Sequence, residues 1–308
     1  MAKPEFLEPL KLDIEQMYSA GQERAHYGTL RASEIGEECE RKLWYKLNWV
    51  MQPKKFEGRI LRLFETGNRE EERIKSNLEA IGITIKNAQN TIPPMARGML
   101  TGHIDGIAFG IFGDEKTLYL FEAKTHNQPN WTAWRSHGVK KSHPKHFAQI
   151  QVYMGALGLT KALYAAHNKN TDSLEFERVE FDHEVFAQIE KKAFRIAFAK
   201  KAPAKISEKP DFYACKMCDF REVCHGQERA LKNCRTCIHS ELGSNKEGWL
   251  HCKKHDDFPW KNAQISGCKD QLFNPAFING EQFDADTDKG TVSYKMPDGS
   301  IFIDGEKL

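Results

Sequence analysis

Three charged residues with complementary chemistry interrupt an otherwise apolar stretch at residues 101–125, TGHIDGIAFGIFGDEKTLYLFEAKT. They are Asp105, Glu122 and Lys124. Two carboxylates can hold Mg²⁺ or Mn²⁺ through oxygen ligands at about 2.1 Å. Such a cation lowers the pKa of water and stabilises charge on a phosphoryl oxygen, while a lysine can orient or deprotonate the water or support the phosphate. These residue types predict hydrolysis of a phosphate ester.

The geometry that this chemistry needs follows from a β-hairpin. The stretch predicts two strands joined by a polar turn. If the loop at 113–116 is symmetric, Asp105 lies opposite Lys124, and Ile107 then lies opposite Glu122. The three charged side chains share one face, and the two carboxylates are diagonal neighbours within roughly 7–8 Å between backbones. The alternative is an ordinary Asp–Lys pair at an exposed strand end, which the apolar character of both faces disfavours.

A family signature is visible in the same residues. Asp105, followed after the hairpin by Glu122-Ala123-Lys124, resembles the D…(D/E)-x-K signature of the PD-(D/E)xK nucleases. The signature alone is short, so further motifs are needed to support the resemblance.

Two helical motifs resemble the RecB-like branch of these nucleases. QIQVY supplies Gln149 and Tyr153 at i and i+4 on one helix face, similar to the Q-x-x-x-Y motif of that branch. ETGNREEER supplies Gly67 and Glu71, similar to its upstream G-x-x-x-(H/E) helix. Glu70 is adjacent and is an alternative choice, and residues 70–72 can also be read as a solvated acidic face.

The resemblance covers roughly residues 33–225 and implies a site. The implied metal ligands are Glu71, Asp105, Glu122 and Ala123. The implied catalytic residues are Asp105, Glu122, Lys124, Gln149 and Tyr153. The implied cofactor is Mg²⁺ or Mn²⁺.

The order of predicted strands and helices gives a mixed sheet with helices on both faces and an appended cysteine-rich segment, and the resemblance adds a restriction-endonuclease-like form of that sheet and a function. The expected fold class is α/β (α+β), a restriction-endonuclease-like mixed central sheet flanked by helices, with a C-terminal cysteine-rich metal module. The expected function is that of a metal-dependent DNA nuclease, an exonuclease of recombination or replication similar to phage enzymes. The alternatives are an adaptation-type nuclease and a non-catalytic nucleic-acid-binding scaffold with the same fold. An intact set of Asp105, Glu122 and Lys124 argues against the scaffold.

The cysteines form two groups. Seven of the eight fall within residues 215–268, and each group opens with C-x-x-C. A reduced cytosolic chain rarely uses such cysteines as disulfides, so the spacing indicates metal ligation.

The first group resembles the iron–sulfur staple of RecB-like nucleases, as in AddB nuclease domains and CRISPR-associated adaptation nucleases. Cys215-x2-Cys218-x5-Cys224 follows a lone upstream Cys39, which precedes a basic and aromatic helix. The resemblance implies a 4Fe–4S cluster that ties residue 39 to residues 215–224. Zinc in the same four sulfurs is the first alternative, and unligated core cysteines are the second.

The second group has the spacing C-x2-C-x14-C-x15-C. Its members are Cys234, Cys237, Cys252 and Cys268. Four cysteines predict a Zn²⁺ site, although the second ligand pair is split. His251 and His255 are near enough to replace Cys252 or Cys268. A second iron–sulfur cluster and the absence of any metal are the alternatives.

An acid-free stretch is the candidate DNA surface. Between Lys124 and Asp172 there is no Asp or Glu, while the stretch holds basic residues, five histidines and two tryptophans. Basic and aromatic residues together suit phosphates and stacked bases. The predicted DNA-binding residues are Trp131, Trp134, Arg135, Lys140, Lys141 and Lys145. The alternative is a chance gap in acids around a helix whose aromatic residues belong to the core.

Composition sets the remaining limits. The chain has 308 residues, a net charge of +2 and 40% hydrophobic residues, enough for a real core. MAKPEFLEPL lacks the order of a signal peptide, and no apolar run approaches the roughly 20 residues that span a membrane. No P-loop motif is present, which excludes a nucleotide motor of that type. We expect a cytoplasmic protein whose partners are DNA and a recombination or annealing protein.

The elements that position these residues follow from periodicity. Helices are predicted at 11–30, 33–49, 59–82 with an interruption near Gly67, 143–159 and 183–201. Strands are predicted at 83–92, in the hairpin, from 161, at 173–182 and as two short runs in the tail. The predicted domains are a nuclease domain at 1–230 closed by the iron–sulfur cluster, a cysteine-rich zinc-type module at 231–270, and a tail with a short hairpin at 271–308.

Overall fold

The computed structural model describes residues 7–22, 26–226, 228–242 and 250–305. The helices are α1 (Glu8–Ser19), α2 (Glu40–Leu47), α3 (Gly58–Ala80), α4 (Gln128–Ser142), α5 (Pro144–Leu157), α6 (His183–Ala197), α7 (Tyr213–Lys216), α8 (Arg221–His225) and α9 (Lys261–Ser266). The strands are β1 (Leu30–Arg31), β2 (Thr84–Lys86), β3 (Leu100–Thr101), β4 (Gly106–Phe109), β5 (Tyr119–His126), β6 (Lys161–Asn168), β7 (Ser173–Glu180), β8 (Ser240–Leu242), β9 (Leu250–Cys252), β10 (Glu281–Asp286), β11 (Thr291–Lys295) and β12 (Ile301–Asp304). Within these ranges no helix is long and apolar enough to cross a membrane.

The central sheet is mixed, as expected from the sequence. Its strand order is β2-β4-β5-β6-β7, with β5 and β6 parallel and the other neighbours antiparallel. Strands β5 and β6 are buried along nearly their whole length, which suits their continuous apolar runs and their central position. Strand β7 alternates between polar and apolar residues and forms an edge.

Helices cover both faces of this sheet. On one face, Leu78 of α3 belongs to the same buried cluster as Phe121 of β5. On the other face, Trp134 of α4 and His146 of α5 contact the ring of Tyr164 on β6. The expected mixed sheet flanked by helices is therefore confirmed.

The register of the hairpin differs from the symmetric prediction. Ile107 pairs with Leu120 and not with Glu122, and Gly106 pairs with Phe121. The pairing is thus offset by two residues from the prediction. Because side chains alternate with a period of two, an even offset leaves every side chain on its predicted face. The predicted partners were wrong, and the predicted face of Glu122 was not affected.

The offset arises in the turn. Ile111 and Asp114 form an isolated bridge around Gly113, whose φ is +79°, so the chain reverses earlier than a symmetric loop at 113–116 would. Asp114 then accepts hydrogen bonds from the hydroxyl of Tyr119, at 2.6 Å, and from the ammonium of Lys161. These bonds hold the extra residues of the loop on the β5 side.

Several predicted boundaries change for local reasons. Helix α3 continues through Gly67 without a break. Helix α1 ends at Ser19 because Ala20 is extended and Gly21 adopts a φ of +70°. The strand predicted at 83–92 is confined to β2. The helices predicted at 143–159 and 183–201 are present as α5 and α6. The strands predicted from 161 and at 173–182 are present as β6 and β7.

Helix α4 corresponds to the alternative interpretation of the acid-free stretch, a helix whose aromatic residues belong to the core. It carries Trp131 and Trp134 in the interior and bends at Gly138, where φ is +69° and ψ is 168°. A Cβ at this glycine would lie 2.9 Å from the carboxylate of Glu177, whose oxygen accepts the backbone N–H of Val139 at 2.9 Å. The bend therefore requires glycine on two grounds.

The chain divides into two compact units. The first contains residues 1–25, 53–92 and 102–186 and holds the central sheet. The second contains residues 26–52, 93–101 and 187–308 and holds both cysteine groups. The chain passes between the units several times, and the positions 230 and 270 both fall within the second unit.

Distant segments are joined within the second unit. Lys192 donates to the carbonyls of Ile35, at 2.9 Å, and Glu37, at 2.5 Å. Arg41 donates to the carbonyl of Pro203 at 2.6 Å. The segment around Cys39 is thereby held against the chain that leads to the first C-x-x-C.

The tail contains one strand more than predicted. Strands β11 and β12 flank the turn at residues 297–299, and β10 adds to β11 to give a three-stranded antiparallel sheet. The residues of β10, EQFDAD, are mostly polar and exposed, so the sequence gives little signal for a strand there.

Candidate active site

The three charged residues of the hairpin come together in the first unit. The ammonium of Lys124 lies 3.9 Å from Oδ2 of Asp105 and donates a hydrogen bond to Oε1 of Glu122. Asp105 Oδ2 also accepts the backbone N–H of Ala123 at 2.9 Å, which fixes its carboxylate against β5. Their side chains form one compact cluster.

Glu122 is the most unusual member of this cluster. Its side chain is 0% exposed, and its Oε2 has no hydrogen-bond partner among the residues that the structure describes. Burial, together with the charge of Asp105, raises the pKa of Glu122 to about 8. A buried carboxylate oxygen without a partner is rare in proteins because it loses the hydrogen bonds of water. This donor set therefore fits a bound cation.

Lys124 remains an ammonium in this arrangement. Burial lowers the pKa of Lys124, but the charges of Glu122 and Asp105 outweigh burial and hold that pKa above its ordinary value. A protonated lysine beside two carboxylates can position water or a phosphate oxygen by donating hydrogen bonds.

Glu71 of α3 is the third carboxylate that faces the cluster. Burial and the charge of Asp105 raise the pKa of Glu71. Glu71 Oε1 accepts from Lys75 at 2.5 Å and from Gln89 at 3.3 Å. Neither donor is among the residues predicted from the sequence, although Lys75 lies four residues after Glu71 and hence on the same helix face.

Glu70 points elsewhere. Its carboxylate lies 2.8 Å from the guanidinium of Arg73 and 3.7 Å from Nδ1 of His167. The neighbouring acids of this helix therefore have separate partners, and of Glu70 and Glu71 it is Glu71 that interacts with Asp105.

Ala123 has no side-chain donor, so only its backbone carbonyl could serve as a metal ligand. That carbonyl accepts a hydrogen bond from the ammonium of Lys124 at 3.2 Å. Its position between Glu122 and Lys124 keeps the carbonyl beside the cluster.

Helix α5 brings Gln149 and Tyr153 to the same place. Both are buried, and the amide of Gln149 donates to the hydroxyl of Tyr153 at 3.3 Å. Burial and the charge of Glu122 raise the pKa of Tyr153, so its hydroxyl stays neutral and can donate. The spacing of four residues thus forms a polar pair above the carboxylates.

A group of buried histidines lines the neighbouring wall. The hydroxyl of Tyr164 lies 2.9 Å from Nε2 of His126 and 2.8 Å from Nδ1 of His146. Burial lowers the pKa of His126 to about 4 and that of His146 to about 3, with the charge of nearby residues adding to the effect. These histidines are neutral at physiological pH and add no positive charge.

The aromatic part of the predicted DNA surface is corrected by the structure. Trp131 and Trp134 are buried, and the indole N–H of Trp134 donates to the carboxylate of Glu177 at 2.5 Å. Their rings pack inside the first unit because α4 turns its apolar side to the sheet. They offer no exposed face for base stacking.

The basic part of this surface is partly neutralised. Arg135 lies 3.0 Å from Glu175 of β7, and Lys140 lies 2.9 Å from Asp182. Lys141 and Lys145 are exposed. The stretch is free of acids in sequence but not in space, since the adjacent strand supplies them.

The first cysteine group surrounds one cavity in the second unit. Cys39, Cys215, Cys218 and Cys224 all line it, together with Arg41 and Lys42. The thiols are reduced, and burial raises the pKa of Cys218 and of Cys224.

The second cysteine group also gathers in the second unit. Burial and the charges of Cys237, Cys268 and Cys252 raise the pKa of Cys234 to about 11. His255 Nε2 lies 3.7 Å from Sγ of Cys268.

The two histidines named as substitute ligands differ in their surroundings. Nε2 of His251 lies 3.0 Å from Asp256, whereas His255, Cys268 and Asp270 place three ligand atoms within 4.8 Å of one another. In the described ranges this is the group that meets such a criterion. His255 is therefore the histidine beside the second cysteine group.

Comparison with known proteins gives a family. Residues 14–225 match the family described as the PD-(D/E)XK nuclease superfamily. Similar solved structures include LHK-Exo in complex with dAMP, at 15% identity and a TM-score of 0.42, covering 59% of this chain and 90% of that one. The alkaline exonuclease LHK-Exo from Laribacter hongkongensis has 18% identity, a TM-score of 0.42 and the same coverage.

SSO0001 is a further similar structure, with 13% identity, a TM-score of 0.39 and coverage of 73% of this chain and 98% of that one. No curated protein sequence matches. The family match spans more than half of the chain and includes the cluster of Asp105, Glu122 and Lys124. The chain therefore belongs to the PD-(D/E)XK nuclease superfamily.

Proposed function

We propose that the protein is a metal-dependent deoxyribonuclease that hydrolyses phosphodiesters at Asp105, Glu122 and Lys124, and that it acts as an exonuclease in recombination or replication. The observation that carries the proposal is the fully buried Glu122, whose Oε2 lacks a partner within the described residues. Nucleases of this superfamily use divalent metals such as Mg²⁺ or Mn²⁺. A fold built only to bind DNA has no need of a desolvated carboxylate beside Asp105 and Lys124.

The metal would be held by the side chains of Asp105, Glu122 and Glu71 and by the carbonyl of Ala123. Oxygen donors of this kind suit Mg²⁺ and Mn²⁺. When bound, the cation supplies charge stabilisation for the phosphoryl oxygens and makes water more acidic. Lys75 and Gln89 orient Glu71 by donating hydrogen bonds to one of its oxygens.

The remaining residues would act on water and substrate. The ammonium of Lys124 positions the attacking water or supports the charge of the phosphate. The neutral hydroxyl of Tyr153, held by Gln149 at 3.3 Å, donates to the DNA backbone and orients it. Glu122 is fully buried and Lys124 and Asp105 are largely covered, so water screens these charges less than it would on an open surface.

The proposal places the protein in the RecB-like branch, with an iron–sulfur cluster on Cys39, Cys215, Cys218 and Cys224. The four cysteines line one cavity together with Arg41 and Lys42, which supports a cluster in which each thiolate binds a different iron.

A zinc ion on Cys234, Cys237, Cys252 and Cys268 is the companion proposal. All four cysteines belong to the second unit, and Nε2 of His255 lies 3.7 Å from Sγ of Cys268, where it could serve as an alternative ligand. We keep the functional division of the chain into a nuclease domain at 1–230, a zinc-type module at 231–270 and a tail at 271–308.

Metal analysis tests both cysteine proposals. Anaerobically purified protein is expected to be brown, to absorb near about 400 nm and to contain about four irons per chain. Cys39→Ser should remove the iron and keep the zinc, and Cys234→Ser should do the reverse. Colourless protein with two zinc ions, or loss of both metals in either variant, would refute the assignment.

Cleavage assays test the nuclease proposal. Linear and circular DNA, each single- and double-stranded, are incubated with Mg²⁺ or Mn²⁺ and with EDTA as the control. We expect metal-dependent release of nucleotides from linear DNA only. Cutting of circular DNA would replace exonuclease by endonuclease action. Binding without cleavage in either metal would favour the non-catalytic scaffold. A recombination or annealing protein is the expected partner.

A further inference from the structure

A second groove with nucleic-acid chemistry lies within the second unit. It has a volume of about 940 Å³ and is formed by residues 26–31 and 257–264 with Trp49 and Arg235. Trp260 on its wall is 84% exposed, and Tyr27 and Phe258 are about half exposed at 47% and 49%. Single exposed aromatic rings are normal on a protein surface, but three on one groove indicate a binding site.

The floor of the groove is rigid. Trp49 is buried, with the ring of His26 stacked at 4.9 Å on it and the guanidinium of Arg235 at 4.3 Å from its ring centre. Its indole N–H donates to the carbonyl of Tyr27 at 2.8 Å. A groove built on such a layer is preformed, so a ligand loses little affinity to ordering of the protein.

An unsatisfied acceptor lines this groove. Gln264 is 6% exposed, and its amide nitrogen donates to the carbonyl of Pro259 at 2.7 Å, which fixes the orientation of the amide. Its Oε1 then has no hydrogen-bond partner within the described parts of the chain. Buried acceptors are nearly always paired, so this atom calls for an N–H donor from a ligand.

The charge of the groove is positive. Its lining includes Arg31, Arg235 and Lys261 as cations and Asp257 as an acid. The guanidinium of Arg31 lies 4.9 Å from the ring centre of Tyr27, which holds a cation and an aromatic face side by side. Cations interleaved with exposed rings are typical of surfaces that bind single-stranded nucleic acid.

We propose that this groove binds an unpaired strand of DNA. A base stacks on Trp260, a ring or amino N–H of a base donates to Oε1 of Gln264, and Arg31 and Lys261 contact the phosphates. A duplex does not fit these requirements, because its bases already use their N–H groups in pairing and their faces in stacking. The choice of DNA rests on the proposed nuclease function, and the groove shares no residue with the carboxylate cluster.

The test measures binding without added Mg²⁺ or Mn²⁺ and without a chelator, so that the full chain keeps the zinc ion proposed for its second cysteine group and lacks the metal that cleavage needs. Fluorescence anisotropy follows a labelled oligothymidylate, an abasic oligomer of equal length and a blunt duplex. Trp260→Ala should weaken oligothymidylate binding about tenfold, as expected for one lost stacking contact. Trp260→Phe should restore most of the affinity, because any aromatic ring can stack. The control is Phe283→Ala, which removes an exposed ring of 56% exposure on β10.

Each outcome decides the proposal. The abasic oligomer should bind more weakly than oligothymidylate and should not respond to Trp260→Ala. Equal binding of oligothymidylate by Trp260→Ala and the unaltered protein would overturn the proposal, as would an equal loss in Phe283→Ala. A duplex that binds as tightly and depends equally on Trp260 would also overturn it. If Trp260→Ala changes the molecular mass of the protein in solution but leaves its DNA affinity unchanged, the groove binds another protein chain and the proposal is overturned.

The groove proposal and the nuclease proposal can be refuted independently of each other. If the unaltered protein binds oligothymidylate through Trp260 but never cleaves DNA in Mg²⁺ or Mn²⁺, the groove stands and the nuclease proposal falls. If it cleaves DNA but Trp260→Ala binds normally, only the groove is refuted.

Discussion

Charged side chains have opposite environments on strand β5 and on helix α4 of the same unit. On β5, Glu122 is 0% exposed and one of its oxygens lacks a partner in the described ranges. On α4, Arg135 and Lys140 lie on the surface and pair with Glu175 and Asp182 of neighbouring elements. On β5, a carboxylate oxygen is left to interact with a bound cation. On α4, the positive charges are largely neutralised by neighbouring acids. Chemistry is therefore expected where charge is buried and unsatisfied, not where charge is abundant.

The largest effect should come from Glu122→Gln, which keeps the shape of the side chain and removes its charge. Loss of a metal ligand weakens charge stabilisation by several kcal/mol, so metal-dependent cleavage should fall about a thousandfold or more. The melting temperature in EDTA should not fall, since the neutral amide replaces a buried carboxyl that holds a proton in the metal-free protein. Cleavage and thermal unfolding are measured on the same preparation. Normal cleavage by Glu122→Gln would remove β5 from the active site.

Lys124→Ala should also nearly abolish cleavage, but by another route. The carboxylates remain, so the protein should still bind Mn²⁺, while water and phosphate lose their positioning cation. DNA affinity should change little, because one lysine among many basic residues is lost. Cleavage, Mn²⁺ binding and DNA binding are compared with Glu122→Gln as the matched variant. Loss of Mn²⁺ binding in Lys124→Ala would show that the lysine acts on the metal site instead.

The pH dependence of stability should separate the two regions further. Burial raises the pKa of Glu122 to about 8, so the folded protein holds a proton that the unfolded chain releases near pH 4.5. The stability of the metal-free protein should therefore fall as pH rises from about 4.5 to about 8. Urea unfolding in EDTA across this range measures the slope. Glu122→Gln should lose most of this slope, and an unchanged slope would refute the assignment to Glu122.

A smaller effect is expected on α4 and the start of α5. Changing Lys140, Lys141 and Lys145 together to Ala should weaken DNA binding and reduce the salt slope by at most about three, near 0.9 for each lost phosphate contact. Lys140→Ala alone should do less than the triple change, because Lys140 is paired with Asp182 at 2.9 Å. Binding is measured over a range of salt concentrations. An unchanged slope in the triple variant would exclude this surface from the DNA interface.

The smallest effect should come from the pair of Arg135 and Glu175. Both side chains are about half exposed, at 57% and 42%, so water screens their attraction. A double-mutant cycle with alanine at each position should give a coupling of about 0.2–1 kcal/mol in unfolding. A coupling free energy well above this range would mean that the ion pair on α4 is shielded from water, as the charged residues on β5 are.

The sequence was informative where residue type and spacing carry the geometry. Asp105, Glu122 and Lys124 share a face because strand periodicity is fixed, and Gln149 and Tyr153 meet because helix periodicity is fixed. These local rules hold whatever surrounds them. The mixed sheet likewise followed from the alternation of strand and helix patterns.

Sequence failed where packing between distant segments decides. The burial of Trp134 depends on Glu177, which lies 43 residues later and accepts its indole N–H. The groove around Trp260 likewise brings together residues 26–31 and 257–264 within the second unit. No local pattern announces such contacts, so an acid-free stretch looked like a surface, and the second groove carried no motif.

The even offset of the hairpin has a consequence for how this site can change. A strand shifted by two residues keeps its carboxylate on the same face, whereas a shift by one would turn Glu122 toward the apolar layer that holds Phe121 and Leu78. Gain or loss of a single codon between Tyr119 and Glu122 should therefore destroy both the site and the core at once. Insertions or deletions of two codons should be far better tolerated. Whether Glu122 faces the site depends on whether the number of inserted or deleted residues is even or odd. Relatives that keep the activity should therefore differ here by even numbers of residues.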